Sequence, residues 1–380
     1  MGGVLLAVAV IYAMWATRLP VATRSNVNPQ EWVGAIHVHT VASDGGGTLD
    51  EVAVAARDSG LDFLTITDHN VWAMPTAEYR AETLLVLGEE ARVPAGHVLV
   101  LGGEDPALRI TRRREAEEAG SPLGPSVSSG PGLRVVAHPE GPAQPWLEWD
   151  PAAFDAIEIW NGDTDLRDDG WRDWLKALLL LPTRPVSAML ELLDRPAATL
   201  SRWDDLLAEG HRIMGLCSVD AHSHVPISDR VALPFPAYRD LFRLARQHVL
   251  LSGDPTGDAA HDADLVTEAL RQGRSFCSFD GIADGSGLVV RARNTVGSAT
   301  LGGRLAWEVG SVRIAATTPE VSVPVLVRLF LDGVLVDEGA GPGYRSRPLP
   351  GPGAYRLEIS LVLARGVVPW IFTNPIWVVE

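Results

Sequence analysis

Two histidines one residue apart, His37 and His39, close the short apolar run Ala35-Ile36-His37-Val38-His39, and Asp44 follows in the turn Ser43-Asp44-Gly45. On a β-strand the side chains at i and i+2 share a face, so both imidazoles can converge at the strand's carboxyl end. Imidazoles with a carboxylate close behind are a donor set for a divalent ion. A single His-x-His pair also fits two surface histidines on a polar strand face, and decides nothing alone. The same chemistry recurs down the chain, in Asp68-His69-Asn70, Gly88-Glu89-Glu90, His97, His138-Pro139 and Asp220-Ala221-His222. The candidates are then His37, His39, Asp44, His69, Glu90, His97, His138, Asp220 and His222. Imidazole and carboxylate without thiolate suit Mn²⁺, Fe²⁺ or Zn²⁺, and nine donors exceed what one four-coordinate ion needs. Two or three ions are expected.

The elements that must carry these residues follow from apolar runs and caps. Trp32 to His39, Leu61 to Thr67, Leu84 to Leu87, His97 to Leu101, Leu133 to Ala137, Ala156 to Trp160 and Ile213 to Ser218 read as strands. Thr48 to Ser59 reads as a helix, with Thr48 and Glu51 as a capping box and Gly60 as the stop. Strand, polar residue, helix, repeated, predicts a parallel sheet or barrel with its site at the strands' carboxyl ends. His97, at a strand start, is the exception. Arg109 to Gly132 and Asp163 to Gly210 read as insertions. The second carries Trp171, Trp174 and Trp203, as outer helices or as a lid. After Phe279 the pattern turns to short strands, with Asp332-Gly333 as a hairpin signal. The expected domains are residues 1–20, a hydrophobic segment; 30–283, the catalytic part; and 284–380, a small antiparallel β-sandwich.

Composition sets the outer limits. The chain has 380 residues, with 32 Lys+Arg against 48 Asp+Glu and a formal net charge of -16. That field repels phosphate backbones and argues against an extended nucleic-acid partner. A small anionic substrate stays open, because bound cations dominate a pocket's local field. Cys217 and Cys277 show neither metal spacing nor a disulfide framework. Val4 to Ala16 is almost wholly apolar yet short for a membrane span. It reads as a signal-anchor, a signal peptide whose start lies upstream, or a buried helix. The first two place the catalytic part outside the cytoplasm, exported or anchored to the membrane through residues 4–16.

The pieces His37-Val38-His39-Thr40 with Ser43-Asp44-Gly45, Thr67-Asp68-His69-Asn70, Gly88-Glu89-Glu90, Ala137-His138-Pro139 and Ser218-Val219-Asp220-Ala221-His222 occur in the order used by the PHP family, named for its polymerase and histidinol-phosphatase domains. From Trp32 to Phe279 the chain resembles that family. The resemblance implies a distorted (β/α)7 barrel, hence an α/β fold, around two or three metals. His37, His39, Glu90 and Asp220 would hold the first; Glu90 would bridge to a second on His97 and His138; Asp44, His69 and His222 would hold the third. The family's Gly-x-Glu spacing selects Glu90 over Glu89. The tail from Pro369 to Trp377 is similar to an exported, carbaryl-hydrolase-like branch.

The expected activity is metal-dependent hydrolysis of a small phosphoester by a metal-bridging hydroxide. Asp220 would hold that hydroxide and take its proton, and His69 or His222, where not saturated by metal, would protonate the leaving group, since as ligands they must be neutral. Arg92 and Arg184 are the candidate phosphate partners. The alternatives are a carbamate, ester or amide hydrolase on the same site, with Trp160, Trp171 and Trp174 as an apolar wall, and a non-catalytic exported metal-binding module.

Overall fold

The computed structural model describes residues 22–23, 28–71, 76–102, 132–142, 144–168, 177, 180–181, 184–228 and 231–380. The apolar segment at 4–16, most of the first insertion, and Trp171 and Trp174 lie outside the described residues. Among those described, no helix is long and apolar enough to cross a membrane.

The site is held by a ring of strands. β1 (Glu31–Val38), β2 (Phe63–Ile66) and β3 (Thr83–Leu87) pair in parallel. At Gly88 the chain bends from β3 into β4 (Glu89–Val93), which makes an antiparallel hairpin with β5 (Gly96–Leu101). β5 pairs antiparallel with β6 (Leu133–Val136), and β6, β7 (Ala156–Asn161) and β8 (Met214–Ser218) run in parallel. Two single bridges join the sheets, His69 to Glu90 and Val38 to Ala221. Both fall at the carboxyl ends of β1 and β2, so the junctions themselves carry candidate donors.

The protein is a mixed α/β fold, but strand and helix do not alternate regularly. α1 (Leu49–Asp58) follows β1, and α2 (Gly162–Asp168) and α3 (Ala197–Ala208) lie between β7 and β8. By contrast β3, β4 and β5 run on through a bend and a hairpin, and β9 (Arg246–Leu250) and β10 (Ser275–Ser278), flanking α4 (Ala259–Arg271), are antiparallel to each other. Residues 32–38 and the other expected runs do form strands. α1 has the expected capping box, with Gly60 at φ +74° behind it.

Beyond residue 288 the chain forms two layers. β11 (Val289–Arg293) and β13 (Arg313–Thr317) belong to a four-stranded sheet, and β12 (Arg304–Ala306) runs parallel to the last strand. β14 (Val325–Leu331), β15 (Val334–Ala340), β16 (Gly353–Leu363), β17 (Gly366–Thr373) and β18 (Ile376–Val379) form the other layer. Buried and exposed residues alternate along β11, as a half-buried strand requires. Asp332 and Gly333 make the expected turn with positive φ at both positions.

This layer is continuous with the ring. β9 pairs with β1, β10 with β9, and β17 with β10, Phe276 opposite Thr373. One sheet therefore runs from beside the site into the carboxy-terminal strands. The cysteine reading needs correction: Cys217 on β8 and Cys277 on β10 are joined in a disulfide across 60 residues, with Cα atoms 5.5 Å apart. Strands distant in sequence are brought side by side, which spacing along the chain does not reveal.

Candidate metal centre

β1 delivers the two histidines by an irregularity. Its lower edge, Glu31 to Gly34, pairs with β9, while Ile36 and His37 accept amide hydrogens from Val219 and Ala221. The strand changes partner midway, its register shifts between Ala35 and Val38, and His37 takes φ +66°. Such a bulge re-aims side chains. The His37 and His39 rings lie 4.9 Å apart between centroids, both fully buried.

Glu90 is the hub. Its Oε2 lies 3.1 Å from His37 Nε2, 3.2 Å from His39 Nε2 and 3.0 Å from His69 Nδ1. Its Oε1 lies 2.7 Å from His97 Nδ1 and 3.0 Å from His138 Nε2. Glu89, one residue earlier on the strand, faces the other way by alternation. Asp220 Oδ1 stands 3.3 and 3.4 Å from the Nε2 atoms of His37 and His39. Asp44, the most exposed of the set, is 3.4 Å from the Nε2 atoms of both His69 and His222. All nine candidates thus meet in one place. His97 does so from a strand start because an antiparallel strand begins where its parallel neighbours end.

The donor set fits divalent ions. Three groups hold their ligand atoms within 4.8 Å of one another: His37, His39 and Asp220; His69, Glu90 and His97; and His39, Asp44, His69 and His222. His37 Nε2, His39 Nε2, His69 Nδ1 and Asp220 Oδ1 are buried with no hydrogen-bond partner. Carboxylate oxygens stand nearby, but none is aligned to bond. An unpartnered buried polar atom is costly; three of these four lie within 4.8 Å of one another and His69 Nδ1 joins the adjoining group, as a multi-ion site requires.

Electrostatics agree. Burial works against the imidazolium form of His37, yet Asp220, Glu158 and Glu90 outweigh it and raise its pKa well above the ordinary value. His69 is pushed up to about 9, burial being outweighed by Asp44 and Glu90. His138 and His222 rise for the same reasons. Burial would raise Glu90 and Asp220, but the surrounding histidines hold both well below the carboxylate range. The carboxylates favour positive charge on this side of the histidines, the condition that bound cations meet.

Behind the donors stands a layer that the sequence reading did not assign. Glu158 Oε1 accepts from His37 Nδ1 at 2.7 Å, and its Oε2 accepts from the His138 amide and from Asn161 Nδ2, each at 2.7 Å. Asn161 also donates to Asp220 Oδ2 at 3.1 Å. Asp68 accepts from the amide and hydroxyl of Thr40, both at 2.7 Å, and from Ser43 Oγ at 2.6 Å, fixing the turn that carries Asp44. Tyr238 Oη lies 2.7 Å from the His39 carbonyl and 2.9 Å from that of His222. Glu158 left a signal, a carboxylate inside the buried strand Ala-Ile-Glu-Ile-Trp-Asn; Tyr238 left none.

The donors open on a cavity of about 210 Å³ walled by His69, Glu90, His97, His138, Asp220 and His222. Arg167 on α2 shares this wall, paired with Asp163 at 2.6 Å. The expected phosphate partners do not line it. Arg92 instead donates from Nε to His97 Nε2 at 3.1 Å, and Arg184 precedes the helix Pro185–Leu190. A second cavity, of about 320 Å³, adjoins at His138 and Thr164 and includes Trp160.

No protein-family model matches the chain, and no curated protein matches it. Among solved structures it resembles a two-domain protein of Bacteroides vulgatus containing a predicted PHP-like metal-dependent phosphoesterase. The match is at 13% identity and TM-score 0.41, over 94% of this chain and 99% of that one. It also resembles a protein of Bifidobacterium adolescentis assigned by inference as a metal-dependent phosphoesterase (16%, TM-score 0.31, 50% and 87% covered). A third is an amidohydrolase of Chromobacterium violaceum with bound sulfate and no metal (17%, TM-score 0.28, 50% and 87% covered). At identities and scores this low, similarity says nothing about activity.

Proposed function

We propose that this protein is a metal-dependent hydrolase acting on small phosphoesters, through two or three divalent ions (Mn²⁺, Fe²⁺ or Zn²⁺) held by His37, His39, Asp44, His69, Glu90, His97, His138, Asp220 and His222. The observation that carries the reading is the convergence of four orphaned buried donor atoms around Glu90, beside a solvent-reached cavity. Bound divalent ions would bring a water's pKa toward neutrality and offset charge on phosphoryl oxygens. The chain's own groups do the rest. Arg167, paired with Asp163 through Nε, would present its remaining N–H groups to a phosphoryl oxygen in the cavity. His69 and His222, partly exposed beside Asp44, would hand a proton to a leaving group only where a bound ion leaves one of them free, since a ligating imidazole is neutral. Asp220, at the cavity wall with Oδ2 held by Asn161, would orient an incoming hydroxyl or take its proton.

A carbamate or ester hydrolase on the same donors is the second reading, favoured by Trp160 beside the adjoining cavity. Export is part of the proposal, supported by the Cys217–Cys277 disulfide, which belongs to an oxidising compartment. The test is turnover of bis-p-nitrophenyl phosphate against 1-naphthyl carbamate by Mn²⁺-loaded protein, with His39→Ala as control. The expected result is phosphoester cleavage that His39→Ala abolishes along with bound metal, the circular dichroism unchanged. Rapid carbamate cleavage without phosphoester cleavage would overturn the substrate assignment. Less than one equivalent of metal after reconstitution would favour a non-catalytic module.

A further inference from the structure

At the opposite end of the parallel strands from the metal centre lies a cavity of about 540 Å³, where Asp155, Arg212 and Met214 of the ring meet Glu268, Arg271 and Gln272 of α4 and Gly302 and Arg304 of the carboxy-terminal layer. Its carboxylates are already engaged. Asp155 holds Arg134 through two bonds of 3.0 Å, and Glu268 holds Arg271 at 2.9 Å and also Gln272. Arg212 and Arg304 have no carboxylate partner among the described residues. Arg212 is held in place nonetheless, over the Trp377 ring at 5.3 Å and donating to the Gly302 carbonyl at 3.3 Å. Partial burial and then the Arg304 charge lower its pKa, the sign of two like charges kept close.

In a chain of net charge -16, Arg212 and Arg304 line one solvent-open cavity and neither is tied to a carboxylate among the described residues, so both guanidiniums stand ready for an anion. Guanidinium forks match oxyanions bidentately, and a dianion offsets both charges at once. We propose that this cavity binds a tetrahedral dianion, either free phosphate or the phosphoryl group of a small molecule, and that the bound anion braces the catalytic ring against the carboxy-terminal layer. The site stands independently of the activity assigned above.

Calorimetric titration of the full-length, metal-loaded protein with inorganic phosphate and with the non-hydrolysable phosphonate analogue of glycerol 3-phosphate, at constant ionic strength set with chloride, tests it. Phosphate bound at the metal centre is common to wild type and variants, so the difference reads this cavity alone. Arg304→Gln, at an exposed position, and Arg212→Lys, which keeps the charge but not the fork, should each weaken one binding event by about tenfold or more. Tighter binding of the phosphonate would identify the esterified source; equal or weaker binding, the free ion. No event beyond matched chloride in wild type, or affinities unchanged in both variants, would overturn the proposal.

Discussion

Glu158 takes no place among the nine donors, yet it sets the orientation of two of them. Its oxygens hold His37 Nδ1 and the His138 amide, leaving His37 Nε2 unprotonated toward the site when a cation is bound. Partners of this kind behind metal ligands are worth about 10–100-fold in affinity or activity. Glu158→Gln keeps the shape but removes the charge that favours that tautomer. The variant should stay folded and lose about 10–100-fold in kcat/KM or in metal affinity, read by competition with a chelating dye. Wild-type values for both would remove Glu158 from the site. At the cavity wall, Arg167→Ala should raise KM for a phosphoester several-fold with a smaller change in kcat if the proposed substrate lies against its guanidinium, which touches none of the nine donors. An unchanged KM would send the search for the phosphate partner elsewhere.

At the scale of elements, the bend between β3 and β4 is what lifts Glu90 into the ring of histidines. A Cβ on Gly88 would lie 2.4 Å from the Val100 carbonyl oxygen, a backbone atom that cannot step aside cheaply. Gly88→Ala should therefore cost roughly 1–3 kcal/mol and lower metal content together with it. Gly60→Ala, at φ +74° with open space around it, should cost about 1 kcal/mol and leave metal content intact. Denaturant unfolding with metal analysis distinguishes them, and equal metal loss in both would sink the positional argument. Much of this scale was legible in the sequence. Most of the apolar runs in the catalytic part end on or just before a donor, and Thr48 with Glu51 announces α1. The partner switch of β1 was not legible, because it depends on β8 and β9, some two hundred residues on. Nor was the β4–β5 hairpin: its two-residue connection, Pro94-Ala95, lacks the Asn-Gly or Asp-Gly that usually marks one. β9 was hidden by its own chemistry. Gln247 and His248 break the apolar run although both are fully buried.

His248 bears on the whole molecule. It sits on β9, where the ring passes into the carboxy-terminal layer, stacked on Phe276 at 4.5 Å. Its Nδ1 is 2.9 Å from Glu31 Oε1 on β1 and its Nε2 is 3.2 Å from Asp280 Oδ2 beyond β10. Glu31 also accepts from the Gly287 amide at 2.9 Å, and Arg246 faces Asp280 at 3.6 Å. The continuous sheet and this buried cluster join the two parts, as does Arg356 of β16, which bonds Asp204 of α3 twice at 2.7 Å, so the two are expected to unfold together. Burial disfavours the His248 charge, but Asp280 and Glu31 outweigh it and push its pKa up to about 9. The folded value exceeds the unfolded one of about 6.5, so protonation favours the fold. Its contribution is full below pH 6.5, declines as pH rises from there, and is gone above about 9. At about 1.4 kcal/mol per unit it is on the order of 3 kcal/mol. Urea unfolding of wild type and His248→Gln should thus differ most near pH 6 and least near pH 9.5, in a single transition that reports both layers. A gap independent of pH would mean that His248 acts by packing on Phe276, and not as the cation joining ring to layer.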